Sequence, residues 1–148
     1  MADAFKIRSA RRGDREAIAA MLKDLGYADA ADSSTLLWVL NHPEVDVFVA
    51  ADPLDRAVGF VSLSHRPQLR LGGRIASVEE LVVTQAWRNR GVGTRLLVAA
   101  VDRARALSAK RVELTTLQGR ETLRPTFYER CGFGVADGVV MRLRHLEK

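Results

Sequence analysis

The stretch Val78-Glu79-Glu80-Leu81-Val82-Val83-Thr84-Gln85-Ala86-Trp87-Arg88-Asn89-Arg90-Gly91-Val92-Gly93-Thr94-Arg95-Leu96-Leu97 joins an apolar, β-branched run to an amphipathic one through a basic turn with two glycines. The first run predicts a strand and the second predicts a helix. The first N–H groups of a helix lack intrahelical partners and carry the positive end of the helix dipole, so they can bind a phosphate. The stretch therefore predicts a phosphate site at a strand-to-helix turn.

The residues of this turn suit a diphosphate. Gly91 and Gly93 have no Cβ, which allows a ligand to approach the backbone closely, and Arg88 and Arg90 supply cationic donors. The turn is not a nucleoside-triphosphate P-loop, because Gly93 is followed by Thr94-Arg95 rather than Lys-Ser/Thr. It also lies past the middle of an antiparallel run, where a dinucleotide-binding fold does not place its glycines. We therefore expect a pyrophosphate-containing ligand of another class.

The rest of the chain predicts strands and helices in a mixed order. Alternating apolar residues predict the strands, helical spacing predicts the helices, and Gly, Pro and Asp mark the turns. Before the turn we predict a strand at 5–10, a helix from Gly13-Asp14 to Gly26, a helix from a Ser33 or Ser34 cap to Pro43, and antiparallel strands at 45–51, 58–64 and 74–83. After it we predict a helix at 90–108, a strand at 111–116 that lies parallel to 74–83, a helix at 126–131 begun by Pro125, and a last strand at 139–146.

Cysteine and histidine usage excludes several kinds of site. Cys131 is the only cysteine, so neither an internal disulfide nor a cysteine-based zinc site can form, and its place before Gly132 favours packing over a nucleophilic role. His42, His65 and His145 are too scattered for a ligand set, and we expect them at the surface or partly packed. No metal is predicted.

Charge and hydropathy limit the partners. The net charge of +5 is spread along the chain rather than gathered into a block, which disfavours nucleic acid as a ligand. No apolar run reaches the roughly 18 residues of a membrane span, and the N-terminus does not resemble a secretory signal. The sequence therefore predicts a soluble, cytoplasmic protein of one domain (1–148), with no membrane partner.

The turn Arg88-Asn89-Arg90-Gly91-Val92-Gly93 resembles motif A of the GNAT superfamily of acyl-CoA N-acyltransferases, whose pattern is Arg/Gln-x-x-Gly-x-Gly/Ala after a strand. The segment Phe127-Tyr128-Glu129-Arg130-Cys131-Gly132-Phe133 resembles motif B of the same superfamily, and the order of elements agrees along nearly the whole chain. The resemblance implies an α/β fold (α+β by some schemes). Its sheet would be mixed and mostly antiparallel, with six to seven strands flanked by about four helices in the order β-α-α-β-β-β-α-β-α-β.

The resemblance also implies acetyl-CoA as co-substrate. Backbone at a strand bulge near Val82 and Val83 would receive the pantetheine arm and supply N–H donors to the acetyl carbonyl, and the turn would hold the pyrophosphate. Tyr128 would lie near the CoA sulfur, as an acid toward the thiolate or as a hydrogen-bond donor. One departure is Glu121, since relatives often have an asparagine there that contacts the pantetheine arm. The implied cofactor-binding residues are Leu81, Val82, Val83, Arg88, Asn89, Arg90, Gly91, Val92, Gly93 and Thr94.

Glu79 and Glu80 are the candidate bases for the acceptor amine. Neighbouring residues of a regular strand point to opposite faces, so only one of the two is expected to enter the acceptor cleft. The resemblance favours Glu79, because some relatives place an acidic base four residues before the equivalent of Val83. A bulge would change the parity and bring in Glu80 instead. Either could act through a water or could bind the acceptor ammonium by charge alone.

The reaction predicted is acetyl transfer from acetyl-CoA to a primary amine of a small molecule such as an amino sugar, a polyamine, an amino acid or an aminophosphonate. Arg66, Arg70, Arg120 and Arg124 lie in predicted loops and would suit an anionic acceptor. Alternatives are a protein or peptide N-acetyltransferase, which needs an open groove beside Tyr128, and a regulatory module that binds acetyl-CoA without turnover. An open sheet edge or the C-terminal strand could also pair in a homodimer.

Overall fold

The structure is a computed structural model that describes residues 4–27, 32–116 and 125–146. The described residues form five strands and four α-helices. The strands are β1 (Lys6–Ser9), β2 (Val45–Ala51), β3 (Ala57–Gln68), β4 (Gly73–Val83) and β5 (Ala109–Leu114). The helices are α1 (Arg15–Asp24), α2 (Ser33–Leu40), α3 (Val92–Ala106) and α4 (Pro125–Arg130). None of these helices is long and apolar enough to span a bilayer, within the described residues.

The five strands form one mixed sheet in the order β1-β2-β3-β4-β5. The pairings from β1 to β4 are antiparallel, and β5 pairs with β4 in parallel. The parallel crossover through α3 is thus confirmed, as predicted from the strand–helix–strand order. The β4–β5 register ends with Val78 opposite Leu114, so the last residues of β4, 79–83, continue without β5 beside them.

Two apolar clusters pack on opposite faces of the sheet. One lies under α3 and includes Leu63, Leu96 and Leu97, all at most 2% exposed. The other lies under α1 and α2 and includes Ile18 and Phe60, each 3% exposed. The sheet therefore has a face covered by α3 and a face covered by α1 and α2, and these two faces define the site described below.

Several local expectations need correction. Asp32, rather than Ser33 or Ser34, caps α2, and its carboxylate accepts a hydrogen bond from the Thr35 N–H at 3.3 Å. β3 does not stop at residue 64, because its pairing with β4 continues to Gln68 opposite Gly73. Arg66 therefore lies in a strand and not in a loop.

His65 is buried, although we expected the histidines at the surface or partly packed. It is 5% exposed, and its Nε2 lies 3.1 Å from Asp46 Oδ2. Arg103 of α3 donates to the same carboxylate oxygen at 3.0 Å. Asp46 thus joins β2, β3 and α3 through polar contacts, which a hydrophobic pattern along the sequence does not reveal.

The predicted last strand at 139–146 is not formed. The structure describes these residues without strand pairing, and Val139, Met141 and Leu143 are 79% to 92% exposed. Alternating apolar residues give a segment the capacity to pair, but a strand also needs a neighbour at hydrogen-bonding distance. The described residues therefore form a five-stranded sheet instead of the six to seven strands expected.

Gly59 of β3 provides the clearest test of how α3 packs on the sheet. A Cβ at this position would lie 3.0 Å from the carbonyl oxygen of Val82 and 3.1 Å from Leu96 Cδ1. We expect Gly59→Ala to lower the free energy of unfolding by about 1–3 kcal/mol, because the core has no room for the added methyl. Urea denaturation measures the change. The matched control is Gly13→Ala, whose Cβ would meet nothing within 4 Å. An equal effect of the two substitutions would contradict the close approach of α3.

Candidate active site

Glu79 is an extra residue in β4. Ser62 of β3 lies opposite Glu80, and the next residue of β3, Leu63, lies opposite Val78. Glu79 therefore has no partner of its own and forms a β-bulge. A bulge shifts the alternation of side chains by one position. Two residues that would point to opposite faces of a regular strand therefore point to the same face when the bulge lies between them.

The bulge brings both glutamates to the same face of the sheet. Val78 and Leu81 both pack in the α3-side cluster, and only two residues separate them. In a regular strand one of those two would share the α3 face, but here both Glu79 and Glu80 face α1 and α2, as Val82 does. The expectation that only one glutamate could enter the cleft is therefore wrong, and both line the same cavity.

Two serines of β3 hold the two carboxylates. Ser62 Oγ donates to Glu80 Oε2, and Ser64 Oγ donates to Glu79 Oε1 at 2.7 Å. The Glu80 N–H in turn donates to Ser62 Oγ at 3.1 Å. Residues two apart in a strand share a face, so Ser62 and Ser64 present their hydroxyls on the same side as the glutamates.

Burial raises the pKa of Glu80 above its ordinary value of 4.5. The hydrogen bond from Ser62 favours the ionised form and opposes this rise, whereas the negative charge of Glu79 adds to it. The side chain opens to the cavity, but apolar walls replace much of the water around it. Glu80 is therefore a carboxylate whose proton affinity is shifted toward that of a base working near neutral pH.

The cavity that receives these groups has a volume of about 430 Å³. It lies between the α1–α2 side of the sheet and the end of β5, and most of its wall is apolar. The apolar part of the lining includes Ile18, Leu22, Leu36, Val39, Leu40 and Phe60, and Thr115 and Thr116 after β5 also line the cavity.

Tyr128 of α4 also lines this cavity. Its ring packs edge-on against Phe127 and Phe133, with centroid distances of 5.2 and 6.1 Å. Burial, and to a lesser extent Cys131, raises the pKa of the Tyr128 phenol above 10.0. The hydroxyl therefore stays protonated at neutral pH and can donate a hydrogen bond or a proton.

The backbone of β4 beside the cavity is regular. Val82 and Val83 pair with Phe60 and Gly59 without a register shift, so the bulge expected at this point lies instead at Glu79. The Thr84 N–H donates to the Val58 carbonyl at 2.9 Å. Antiparallel pairing alternates, so the Val82 N–H also points to β3, whereas the Val83 N–H points to the side that β5 has left. Only the second of these two donors is available to a ligand.

The basic turn joins the end of β4 to α3. Gly91 is the N-terminal cap of α3 with φ of 81°, and as a glycine it has no side chain that could cap the first N–H groups of this helix. A Cβ on Gly91 would meet no atom within 4 Å, so the space beside it is open. Arg88 Nε donates to the Val83 carbonyl at 3.0 Å, and the Arg90 guanidinium lies 5.0 Å from the centroid of the Trp87 ring. These contacts hold the turn against the strand end.

The predicted site residues fall into two groups. Glu79, Glu80, Leu81, Val82 and Tyr128 line the cavity. The others lie outside its lining: Val83 is 7% exposed in the α3-side core, and Arg88, Asn89, Arg90, Gly91, Val92, Gly93 and Thr94 form the turn and the start of α3. Glu121 lies outside the described residues.

Sequence reasoning missed Ser62, Thr115 and Thr116. A serine inside a strand and two threonines after one carry no recognisable signal by themselves. Ser62 becomes informative only when its pairing with Glu80 is known. The one available signal in the sequence was that Ser62 lies in the predicted strand that neighbours the strand of Glu79 and Glu80.

A family model described as the acetyltransferase (GNAT) family matches residues 14–133. The chain belongs to the GNAT acetyltransferase family. The resemblance seen in the two motifs is thereby confirmed, and it covers most of the chain. No curated protein matches this GNAT chain in sequence.

Solved structures agree with this GNAT fold and differ in their described roles. A transcriptional regulator from Bacillus halodurans C-125 has a TM-score of 0.80 and 27% identity, with 95% of this chain and 100% of that chain covered. A ribosomal-protein-alanine N-acetyltransferase from Brucella melitensis biovar Abortus 2308 has a TM-score of 0.76 and 22% identity, with 95% and 99% covered. A glucosamine-6-phosphate N-acetyltransferase from Arabidopsis thaliana has a TM-score of 0.79 and 17% identity, also with 95% and 99% covered. The last two likenesses show the fold alone.

The raised pKa of Glu80 predicts a stability that depends on pH. The folded state holds the Glu80 proton more tightly than the unfolded state, so this group lowers stability as pH rises from 4.5 through its folded pKa. We expect Glu80→Gln to remove that loss. The free energy of unfolding of Glu80→Gln minus that of the wild type should increase over this pH interval and level off above it. Urea denaturation across pH measures the difference, and a difference that stays constant with pH would contradict the shift.

The hydrogen bond from Ser62 predicts a second, separate shift. Ser62→Ala removes a donor to the ionised carboxylate and should raise the pKa of Glu80 further. Carbon-detected NMR titration of the Glu80 carboxyl measures it. Ser64→Ala is the matched control, because Ser64 donates to Glu79 and not to Glu80. An unchanged Glu80 titration in Ser62→Ala would show that the hydroxyl does not hold this carboxylate.

Proposed function

We propose that this protein is an N-acetyltransferase that moves the acetyl group of acetyl-CoA to a primary amine of a small molecule. The observation that carries the proposal is the grouping of Glu79, Glu80 and Tyr128 on one cavity, beside the part of β4 that β5 leaves unpaired. These side chains include carboxylates that can accept a proton and a phenol that can donate one. Family membership supports the reaction class.

The residues present fit acetyl-CoA, which supplies an activated acetyl thioester. The first N–H groups of α3, which the glycine cap leaves without a side-chain acceptor of its own, would donate to a pyrophosphate, and the open space beside Gly91 allows it to approach. Residues 88–94 would hold this group. The outward N–H of Val83 would face the pantetheine arm or the acetyl carbonyl. Leu81 and Val82 would contribute apolar contacts, since both line the cavity.

Proton handling can be assigned to the three cavity side chains. An aliphatic amine has a pKa near that of lysine, about 10.4, and arrives mainly as an ammonium. Glu79 and Glu80 would attract this cation, and Glu80 would accept a proton from it directly or through a water. Tyr128 would donate to the departing sulfur. In the overall exchange a C–N bond replaces the thioester C–S bond, one proton of the ammonium ends on the CoA thiol, and a second is released.

The size of the cavity favours a small acceptor. Its volume of about 430 Å³ falls within the range of small-ligand pockets, roughly 300–1,000 Å³. The two helices α1 and α2 cover it on one side. A protein or peptide acceptor would instead require an open groove that leads past Tyr128.

The first test is acetyl-CoA-dependent release of free thiol across a panel of amines, amino sugars, polyamines, aminophosphonates and peptides. We expect turnover with a small amine, and Tyr128→Phe should lower kcat by about 10²-fold or more, as the loss of a general acid does. Phe keeps the ring packing against Phe127 and Phe133, so the folded structure should be unchanged.

The second variant, Gly91→Glu, tests the cofactor site. The substitution adds a negative side chain to an open position with φ of 81°, where L residues are strained. It should weaken acetyl-CoA binding in calorimetry, whereas Tyr128→Phe should leave that binding intact. Binding without turnover on any acceptor would favour a regulatory module, turnover of peptides alone would favour a protein acetyltransferase, and no binding at all would overturn the proposal.

A further inference from the structure

The acceptor side of the cavity is apolar. The lining residues from α1, from α2 and from the segment after α1 are apolar except for Tyr27 and Thr35. Ile18, Leu22 and Leu36 are at most 8% exposed and belong to the buried cluster under these helices. An acceptor skeleton that lies in this part of the cavity therefore contacts mainly hydrocarbon.

The charged side chains that line the cavity, among the described residues, are negative. Glu79 and Glu80 line it, and no lysine or arginine does so among the residues that the structure describes. Arg66 and Arg70, which we expected to suit an anionic acceptor, are both exposed and absent from this lining. A phosphate or carboxylate on the acceptor would thus face two carboxylates in a region of low polarity, where unpaired charge is costly.

Polar acceptors also fit poorly at the apolar end. The hydroxyls of an amino sugar would lose their hydrogen bonds to water and find few partners there, and each unsatisfied group is unfavourable. The second ammonium of a polyamine would lie against hydrocarbon, away from the two glutamates. An aliphatic or aromatic skeleton, in contrast, gains from leaving water.

We propose that the acceptor is a primary amine on an apolar carbon skeleton, bound with its ammonium at Glu79 and Glu80 and its skeleton against the apolar wall that α1 and α2 form over the sheet. This inference rests on the proposed acetyltransferase function and narrows its substrate class. Ser62 and Ser64 are positioning residues in this arrangement, because their hydroxyls hold the two carboxylates toward the cavity.

A series of straight-chain amines from ethylamine to octylamine tests the skeleton. We expect kcat/KM for acetylation to rise roughly fourfold per added methylene until the cavity is filled, as burial of hydrocarbon predicts. A series with no dependence on chain length would overturn the inference.

Four acceptors with the same number of carbons test the chemistry at the far end. In hexylamine, aminohexanol, hexamethylenediamine and aminocaproate, the sixth carbon is a methyl, carries a hydroxyl, carries an ammonium or is a carboxylate carbon. We expect kcat/KM for hexylamine to exceed that of the other three by roughly tenfold or more. A preference for aminocaproate would overturn the inference and would point to a cation such as Arg120 or Arg124, which lie outside the described residues.

Val39→Thr tests the apolar wall that α2 contributes to the cavity. It places a hydroxyl among the apolar lining with little change in size, and it should lower kcat/KM for hexylamine severalfold while changing that for ethylamine little. The control is Val98→Thr on α3, where Val98 is 52% exposed and far from the lining. Equal effects of both variants, or none in either, would contradict the assignment of the α2 wall.

Failure of the inference and failure of the proposed function give different results. Turnover of hydrophilic amines with none of hexylamine would overturn the inference and leave the acetyltransferase intact. If no amine is turned over, the proposed function fails, and calorimetric binding of hexylamine and aminocaproate to the protein still tests the cavity. Tighter binding of hexylamine would then support the apolar site, and equal or weaker binding would overturn it.

Discussion

The bulge at Glu79 is the constraint on which the candidate site depends. One unpaired residue in β4 changes the parity of the strand, so that Val78 and Leu81 share the α3-side core while the two glutamates between them face α1 and α2. Without the extra residue, one carboxylate would have to enter the apolar core under α3, where ionisation is very unfavourable. The bulge thus keeps the core apolar and turns both carboxylates toward the cavity, and bulges are over-represented beside active sites, where they re-aim side chains.

The second determinant is the separation of β4 and β5. Their pairing ends at Val78 and Leu114, immediately before the bulge, and the outward N–H of Val83 has no strand neighbour among the described residues. The close packing of α3 at Gly59 brings the start of this helix to the same end of the sheet. The gap between the two strands, the glycine-capped start of α3 and the cavity with two carboxylates therefore all lie along β4.

The charge of the whole chain is a poor guide to the site. The protein carries a net charge of +5, which invites an anionic partner, yet the lining that the structure describes contains carboxylates and no basic side chain. Several arginines are engaged elsewhere, as Arg88 is with the Val83 carbonyl and Arg103 with Asp46. Net charge is a sum over the surface, whereas recognition depends on the few groups inside one cavity.

The sequence by itself determined the order of elements as far as α4, the parallel crossover, the family and the strand-to-helix turn with its glycine cap. These features depend on local signals, namely periodicity, glycine positions and a helix start, which a linear pattern carries. It did not determine the last strand, because the alternation at 139–146 has no partner among the described residues. Only the tertiary structure decided that Glu79 and Glu80 share a face, that Ser62 holds Glu80, and that the cavity beside them is mostly apolar. Each of these follows from the register between distant segments, and register is a property of pairing and packing that neighbouring residues do not encode.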